Sequence, residues 1–186
     1  MITITPMTTA DLDGKAYVHY QSWQETYKGL IDANYLASMT LEKCQSIARR
    51  FPDKILVAKD EDRVIGFAGY GAYRDDTMPD TGEVYAIYVL AAYHGQGIGY
   101  RLMTAAMEQL SAYDRIALWV LRGNERAIRF YERVGFSFDG TVLPVMLGTP
   151  NEELRYLYDK HRNENGENNH DPARPLPRTG DAPCRH

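Results

Sequence analysis

The 186-residue chain predicts one α/β (α+β) domain organised around a single central sheet. Three observations carry this. Strand-like and helix-like segments follow one another as strand, two helices, hairpin, strand, helix, strand, helix and two strands. Residues 116–121, IALWVL, form a nearly unbroken apolar run, as expected of a strand buried on both faces. Residues 84–102, VYAIYVLAAYHGQGIGYRL, pass from an apolar strand through a glycine-dense turn into an amphipathic helix.

Each element has a local reason. Residues 2–5 are β-branched and read as a short strand. A helix starts at Thr9-Ala10-Asp11-Leu12 and runs to about Lys28, with Gly29 as its stop. A second helix is expected over residues 34–50, ending before Pro52. Residues 55–59 and 63–73 flank the turn Asp60-Glu61-Asp62 and predict a hairpin. Residues 82–90 form the next strand, and a helix follows from about Gly97 to Ala112. In that helix Ile98, Leu102, Ala106 and Leu110 share one face. Residues 124–134 are a helix stopped by Gly135, Phe136 and Phe138 open another strand, and residues 154–158 supply the last. A long loop containing Pro144, Gly148 and Pro150 is expected between those two strands.

Composition shifts near Asp159. Residues 163–186 hold four of the nine prolines and almost no large apolar side chains. The division predicted is a domain over residues 1–159, net charge −5, and a disordered polar, proline-rich tail over 160–186, net charge +1. The overall charge of −4 argues against nucleic acid as a partner. The chain contains no run of about 18 apolar residues, so no membrane span is expected. Cys44 and Cys184 are far apart, which fits a reducing cytoplasm better than a disulfide framework. The histidines lack the spacing of metal ligands, so no metal site is expected.

The turn His94-Gly95-Gln96-Gly97-Ile98-Gly99 is the strongest functional signal. Alternate glycines let a backbone approach a bulky anion, and a helix starting there aims unpaired N–H groups at it. A phosphate-bearing ligand follows, and three loop classes compete. The dinucleotide fingerprint needs a glycine where Tyr100 stands. The nucleotide P-loop needs Gly-Lys-Ser/Thr, whereas Gly99 is followed by Tyr100-Arg101. Both fail on a required residue.

The third class fits. The turn resembles the Q/R-x-x-G-x-G/A motif of the GNAT superfamily of acyl-CoA-dependent N-acyltransferases. Upstream, residues 82–89, GEVYAIYV, are similar to the family's fourth strand. Downstream, residues 118–120 and 124–136, the latter reading NERAIRFYERVGF, are similar to its fifth strand and fourth helix. The likeness spans about residues 1–159. It implies a single domain with a mixed, mostly antiparallel, splayed sheet of six to seven strands flanked by about four helices. His94 departs from the pattern, because the family usually has Gln or Arg there. The resemblance implies acetyl-CoA as cosubstrate. The pyrophosphate would be cradled by residues 94–101, that is His94, Gly95, Gln96, Gly97, Ile98, Gly99, Tyr100 and Arg101. Ile87, Tyr88 and Val89 would line a slot for the pantetheine arm through their main chain, with the Val89 N–H polarising the thioester carbonyl. Arg101 and Arg133 would neutralise phosphates, and Asn124 would cap its helix, touch the cofactor, or do both.

Acyl transfer to an amine needs a proton acceptor, because a primary amine of pKa ~10 is about 0.1% neutral at pH 7. Thiolate departure needs a donor. By resemblance Glu83 is the base, placed eleven residues before His94 as in histone-acetylating members, and a solvated strand-end carboxylate is its bland alternative. Val120 removes the other position where a branch of the family keeps a glutamate. Tyr131 matches the tyrosine the family sets beside the sulfur. On the acceptor side His19, Trp23 and Tyr27 form a stripe at i, i+4, i+8, with Tyr85 joining them from the strand. Core packing explains the stripe equally well. Asp75, Asp76 and Asp80 form an acidic loop near the same sheet end. The resulting expectation is an acetyl-CoA-dependent N-acetyltransferase acting by direct transfer in a ternary complex. A non-catalytic acyl-CoA-binding module and a transferase of longer acyl groups are its rivals. The acceptor, a small-molecule or protein amine, is not readable from the residues, and a homodimer is expected from resemblance alone.

Overall fold

In a computed structural model, the structure describes residues 1–161. The tail expected from residue 160 onward, Cys184 included, lies outside the described residues apart from Lys160 and His161. The elements are β1 (Ile2–Pro6), a 3-10 turn (Thr9–Asp11), α1 (Leu12–Tyr27), α2 (Ala33–Ser38), α3 (Leu41–Arg50), β2 (Ile55–Asp60), β3 (Arg63–Ala72) and β4 (Thr81–Val89). They continue as α4 (Ile98–Gln109), β5 (Arg115–Leu121), α5 (Glu125–Val134), β6 (Ser137–Leu147) and β7 (Thr149–Asp159). All seven strands join one sheet in the order β1-β2-β3-β4-β5-β7-β6. Each neighbouring pair is antiparallel except β4–β5, whose crossover is α4. The mixed, mostly antiparallel sheet is the predicted one, with five helices among the described residues in place of about four.

Helices cover both faces, and alternation along β2 shows how. Leu56 and Ala58 pack into the main core with Ile98, Leu102, Met103 and Ala106 of α4. Val57, between them, packs against Val18 of α1. The apolar face predicted for α4 is therefore the one that is buried. α3 closes over α1 around Ala16, Cys44 and Ala48.

Two expectations are corrected. The helix expected over residues 34–50 is two helices, α2 and α3, broken at Met39 and Thr40. Asp32 caps the first by accepting from the Tyr35 N–H at 2.9 Å, and Thr40 caps the second by accepting from the Lys43 N–H at 3.2 Å. The long loop expected around Pro144, Gly148 and Pro150 is a β-hairpin, with Leu147 opposite Thr149 and Gly148 at φ 78° in the turn. Pro144 is tolerated because, among the described residues, β6 is an edge strand paired on one side alone.

The sheet parts where the site lies. β4 and β5 pair at three positions, Thr81–Arg115, Gly82–Ile116 and Glu83–Ala117, and no further. Beyond Glu83, β4 bulges at Tyr85, which the register skips between Tyr70–Val84 and Gly69–Ala86. From there β4 keeps its pairing with β3 alone, while β5 follows β7.

Candidate active site

The gap between the two diverging strands opens into a cavity of about 410 Å³. Val84 to Val89 of β4 form one wall, Trp119 and Val120 of β5 the other, and α4 and α5 close one end. Leu90 donates its N–H to the Ile65 carbonyl at 2.9 Å. By the alternation of an antiparallel ladder, the N–H groups of Ile87 and Val89 face the gap.

The glycine turn supplies the anion end. Gly95 and Gly97 sit at φ 77° and 74°, in the left-handed region where glycine costs nothing. A Cβ built on either meets nothing within 4 Å, so conformation rather than crowding in the fold demands glycine there. Gly97 is the N-cap of α4 and provides no side chain to cap it. The first helical bond runs from Arg101 N–H to the Gly97 carbonyl, 3.0 Å, which leaves the N–H groups of Ile98, Gly99 and Tyr100 without helical acceptors. Arg126 and Arg133 of α5 line the same cavity. Uncapped amides, a backbone open to close approach and two guanidinium groups together suit a pyrophosphate.

Nearby predicted residues divide. His94, Gly95, Gly97, Ile98, Gly99 and Tyr100 line the cavity; Gln96 and Arg101 are absent from its wall. The Gln96 amide turns back to the Ala92 carbonyl at 3.4 Å. Arg101 donates to the Ile2 carbonyl of β1 at 3.0 Å, because its position on α4 points toward that strand. His94 closes a ring with its own strand, its Nε2 lying 2.7 Å from the Val89 carbonyl. The residue that departs from the motif thus ties the turn to the end of β4. Asn124 caps α5, accepting from the Ala127 N–H at 3.3 Å, and also lines the cavity.

Tyr131 reaches the cavity from α5, its ring held by Phe130 and Phe136 at 5.4 and 6.3 Å between centroids. Burial, and then the nearby Tyr27 phenol, push its hydroxyl far above the ordinary tyrosine range, so it stays protonated. Tyr27 and Tyr88, both on the cavity wall, share a hydrogen bond of 3.2 Å. The Trp23 indole donates to the Tyr88 oxygen at 3.1 Å.

The stripe expected on α1 does not face the cavity as a unit, and the wall is formed one step around the helix. Ser22, Thr26 and Tyr27 line the cavity, whereas His19 and Trp23 sit behind it. His19 packs among Trp23, Phe67 and Tyr88, with centroids 5.8 to 6.1 Å away, and its Nδ1 is buried without a partner. Desolvation and the neighbouring Lys15 lower its pKa from 6.5 to about 4. A histidine held neutral in the fold but free to charge when unfolded makes stability rise with pH between those values. Stability is therefore expected to fall by about 1–3 kcal/mol as pH drops from 6.5 toward 4, and His19→Phe should flatten that slope in urea unfolding at stepped pH. Tyr85 lines the cavity, but its hydroxyl donates to the Ala72 carbonyl.

Glu83 is fully buried. Its carboxylate takes a forked bond from the Arg74 guanidinium, including Nε at 2.9 Å, and a further bond from the Arg74 N–H at 3.0 Å. It is not among the residues that line the cavity. Arg74 and Arg155 flank the Trp119 ring at 5.3 and 5.7 Å, and Arg155 is itself held by Asp139 at 2.7 Å. Ser22, Thr26, Tyr93, Trp119 and Arg126 are among the cavity residues that sequence reasoning did not pick out.

The comparisons agree with this geometry. The model of the Acetyltransferase (GNAT) family matches residues 17–136. The uncharacterized N-acetyltransferase YuaI of Bacillus subtilis is 32% identical over 136 residues, covering 71% of this chain and 78% of that protein. An uncharacterized N-acetyltransferase of Archaeoglobus fulgidus is 31% identical over 126 residues, covering 65% and 83%. In fold, the chain is similar to the PaiA N-acetyltransferase of Thermoplasma acidophilum in complex with coenzyme A (TM-score 0.65, 22% identity, 85% of this chain and 99% of that one). It is also similar to YncA of Salmonella typhimurium solved with acetyl-CoA (TM-score 0.67, 18% identity, 86% and 94%). Among the described residues no helix is long and apolar enough to cross a membrane. With its family model matched over most of the folded region and its sheet parted around a glycine turn, the chain belongs to the GNAT family of acetyltransferases.

Proposed function

We propose that this acyltransferase moves an acetyl group from acetyl-CoA to a primary amine by direct attack within a ternary complex. The observation that carries the reading is the gap between β4 and β5, which joins an uncapped helix N-terminus to the Tyr131 hydroxyl in one cavity. Acetyl-CoA supplies an activated thioester and phosphates for the turn to hold. The amides at the start of α4, with Arg126 and Arg133, hold the phosphates. The N–H groups of Ile87 and Val89 orient the arm, and the Val89 N–H polarises the carbonyl. The Tyr131 hydroxyl donates a hydrogen bond onto the sulfur as the carbon–sulfur bond breaks. A phenol so far above its ordinary range stabilises a departing thiolate as a donor more than it surrenders its proton. Glu83 was the expected base. With its carboxylate saturated by Arg74, we assign it to holding the β3–β4 connection.

The test is thiol release from acetyl-CoA by the purified full chain with a panel of benzylamine, spermidine, Nα-acetyl-lysine and alanine amide. Amine-dependent release, faster with acetyl-CoA than with butyryl-CoA, is the expected result. Coenzyme A binding with no release by any amine would replace the reading with a binding module, and faster butyryl transfer would replace the acyl group.

A further inference from the structure

We propose that the amine acceptor is a free α-amino acid, whose carboxylate is taken by the Trp119 indole N–H and the Ser22 hydroxyl. The inference deepens the amine-acetylating reading above and rests on it. Trp119 stands on β5 two residues beyond Ala117, where the β4–β5 pairing ends, so it sits at the fork of the gap. Ser22 stands on α1, and both residues are part of the cavity wall.

Each of the two keeps a polar atom without a partner. Ser22 is 3% exposed, and its Oγ is buried with no hydrogen bond. The Trp119 Nε1 is buried with none either, whereas the Trp23 indole finds the Tyr88 oxygen. A buried donor left idle costs stability, and on a cavity wall a ligand can satisfy it. An indole N–H can only donate, and a hydroxyl is able to. The group that suits both accepts two bonds, as a carboxylate does.

Charge points the same way. Among the described residues the wall includes no Asp or Glu, and Asp75, Asp76 and Asp80 of the β3–β4 connection are absent from it. A polyamine finds no carboxylate there for its further ammonium groups. The guanidinium groups of Arg74 and Arg155 stand 5.3 and 5.7 Å from the Trp119 ring, Arg155 being its cross-strand neighbour on β7. Arg155 is engaged by Asp139, Tyr73 and Thr141. Arg74 gives Nε and Nη2 to Glu83, which leaves Nη1 on a side chain 39% exposed. Cations beside the ring favour negative charge at its N–H. With the carboxylate held there, the ammonium of the amino acid loses one proton to solvent. The neutral nitrogen attacks the thioester carbon, the carbon–nitrogen bond forms and the carbon–sulfur bond breaks. The proton that the nitrogen then sheds ends on the sulfur, and the products are an N-acetyl amino acid and the free thiol.

The experiment measures kcat/KM of the full chain with acetyl-CoA for two matched sets: alanine, alanine amide and ethylamine, and phenylalanine, phenylalanine amide and phenethylamine. It is run at pH ~9.5, where much of each amine is neutral, so that basicity does not decide the order. In at least one set the amino acid should exceed both analogues by about tenfold or more. The decarboxylated amine leaves both donors unpaired, and the amide sets its own NH2 against one of them. Trp119→Phe keeps a ring beside the guanidinium groups and removes the N–H. It should shrink the preference for the amino acid about tenfold, chiefly through KM, and Ser22→Ala should shrink it as well. A purely structural role would lower all three substrates of a set alike. Equal rates across both sets, a faster amide, or a preference that neither variant shrinks overturns the proposal while the transferase reading stands. Turnover of other amines with neither amino acid does the same. No thiol release with any amine overturns both. The wild-type comparison decides alone if the variants do not fold.

Discussion

Tyr131→Phe is expected to lower kcat by about 100- to 1000-fold, the usual effect of removing one fixed donor to a developing charge. The KM for acetyl-CoA should stay within about threefold, because the change removes a hydroxyl and keeps the ring. That ring packs between Phe130 and Phe136, and those contacts survive in phenylalanine. Burial keeps the phenol protonated, so the donor is present throughout the neutral range and the deficit should be nearly independent of pH. An effect on KM with kcat intact would mean that Tyr131 binds and does not assist departure. Equal turnover would remove it from the reaction.

Much of the glycine-turn end of the cavity was legible because its requirements are local. Gly95 and Gly97 are needed for backbone conformations that other residues resist, and such a need is written in the residue itself. The start of α5 carried its own cap in Asn124. The α1 wall of the cavity was harder, since it depends on the phase of one helix against the sheet. One residue on α1 is about 100° of rotation, enough to send Trp23 behind the wall and bring Ser22 onto it. The break between α2 and α3 rests on two side-chain caps inside an otherwise helical pattern. The hairpin around Gly148 was masked by prolines that an edge strand accommodates. Arg101 looked suited to phosphate because it follows the turn, but its direction along α4 takes it to β1. No spacing rule joins Arg74 to Glu83, since their meeting depends on the path of the β3–β4 connection.

Arg74→Ala is expected to destabilise the fold by about 3 kcal/mol, read as a lower midpoint in urea with an unchanged slope. Glu83 is fully buried, whereas the Arg74 side chain is 39% exposed, which places the loss at the low end for broken buried pairs. The alanine variant keeps the backbone N–H that donates to the carboxylate but strips away the guanidinium fork. A buried carboxylate with one neutral donor must then be protonated, drag in water or shift the strand. Arg74→Lys should recover little, since a point charge cannot reproduce the fork or lie against the Trp119 ring. Arg74→Met combined with Glu83→Leu should be more stable than Arg74→Ala, because the cost lies in leaving one charge unpaired and not in losing the pair. A loss below about 1 kcal/mol for Arg74→Ala would mean that Glu83 does not depend on this partner, and its carboxylate would again be open to a role in proton transfer.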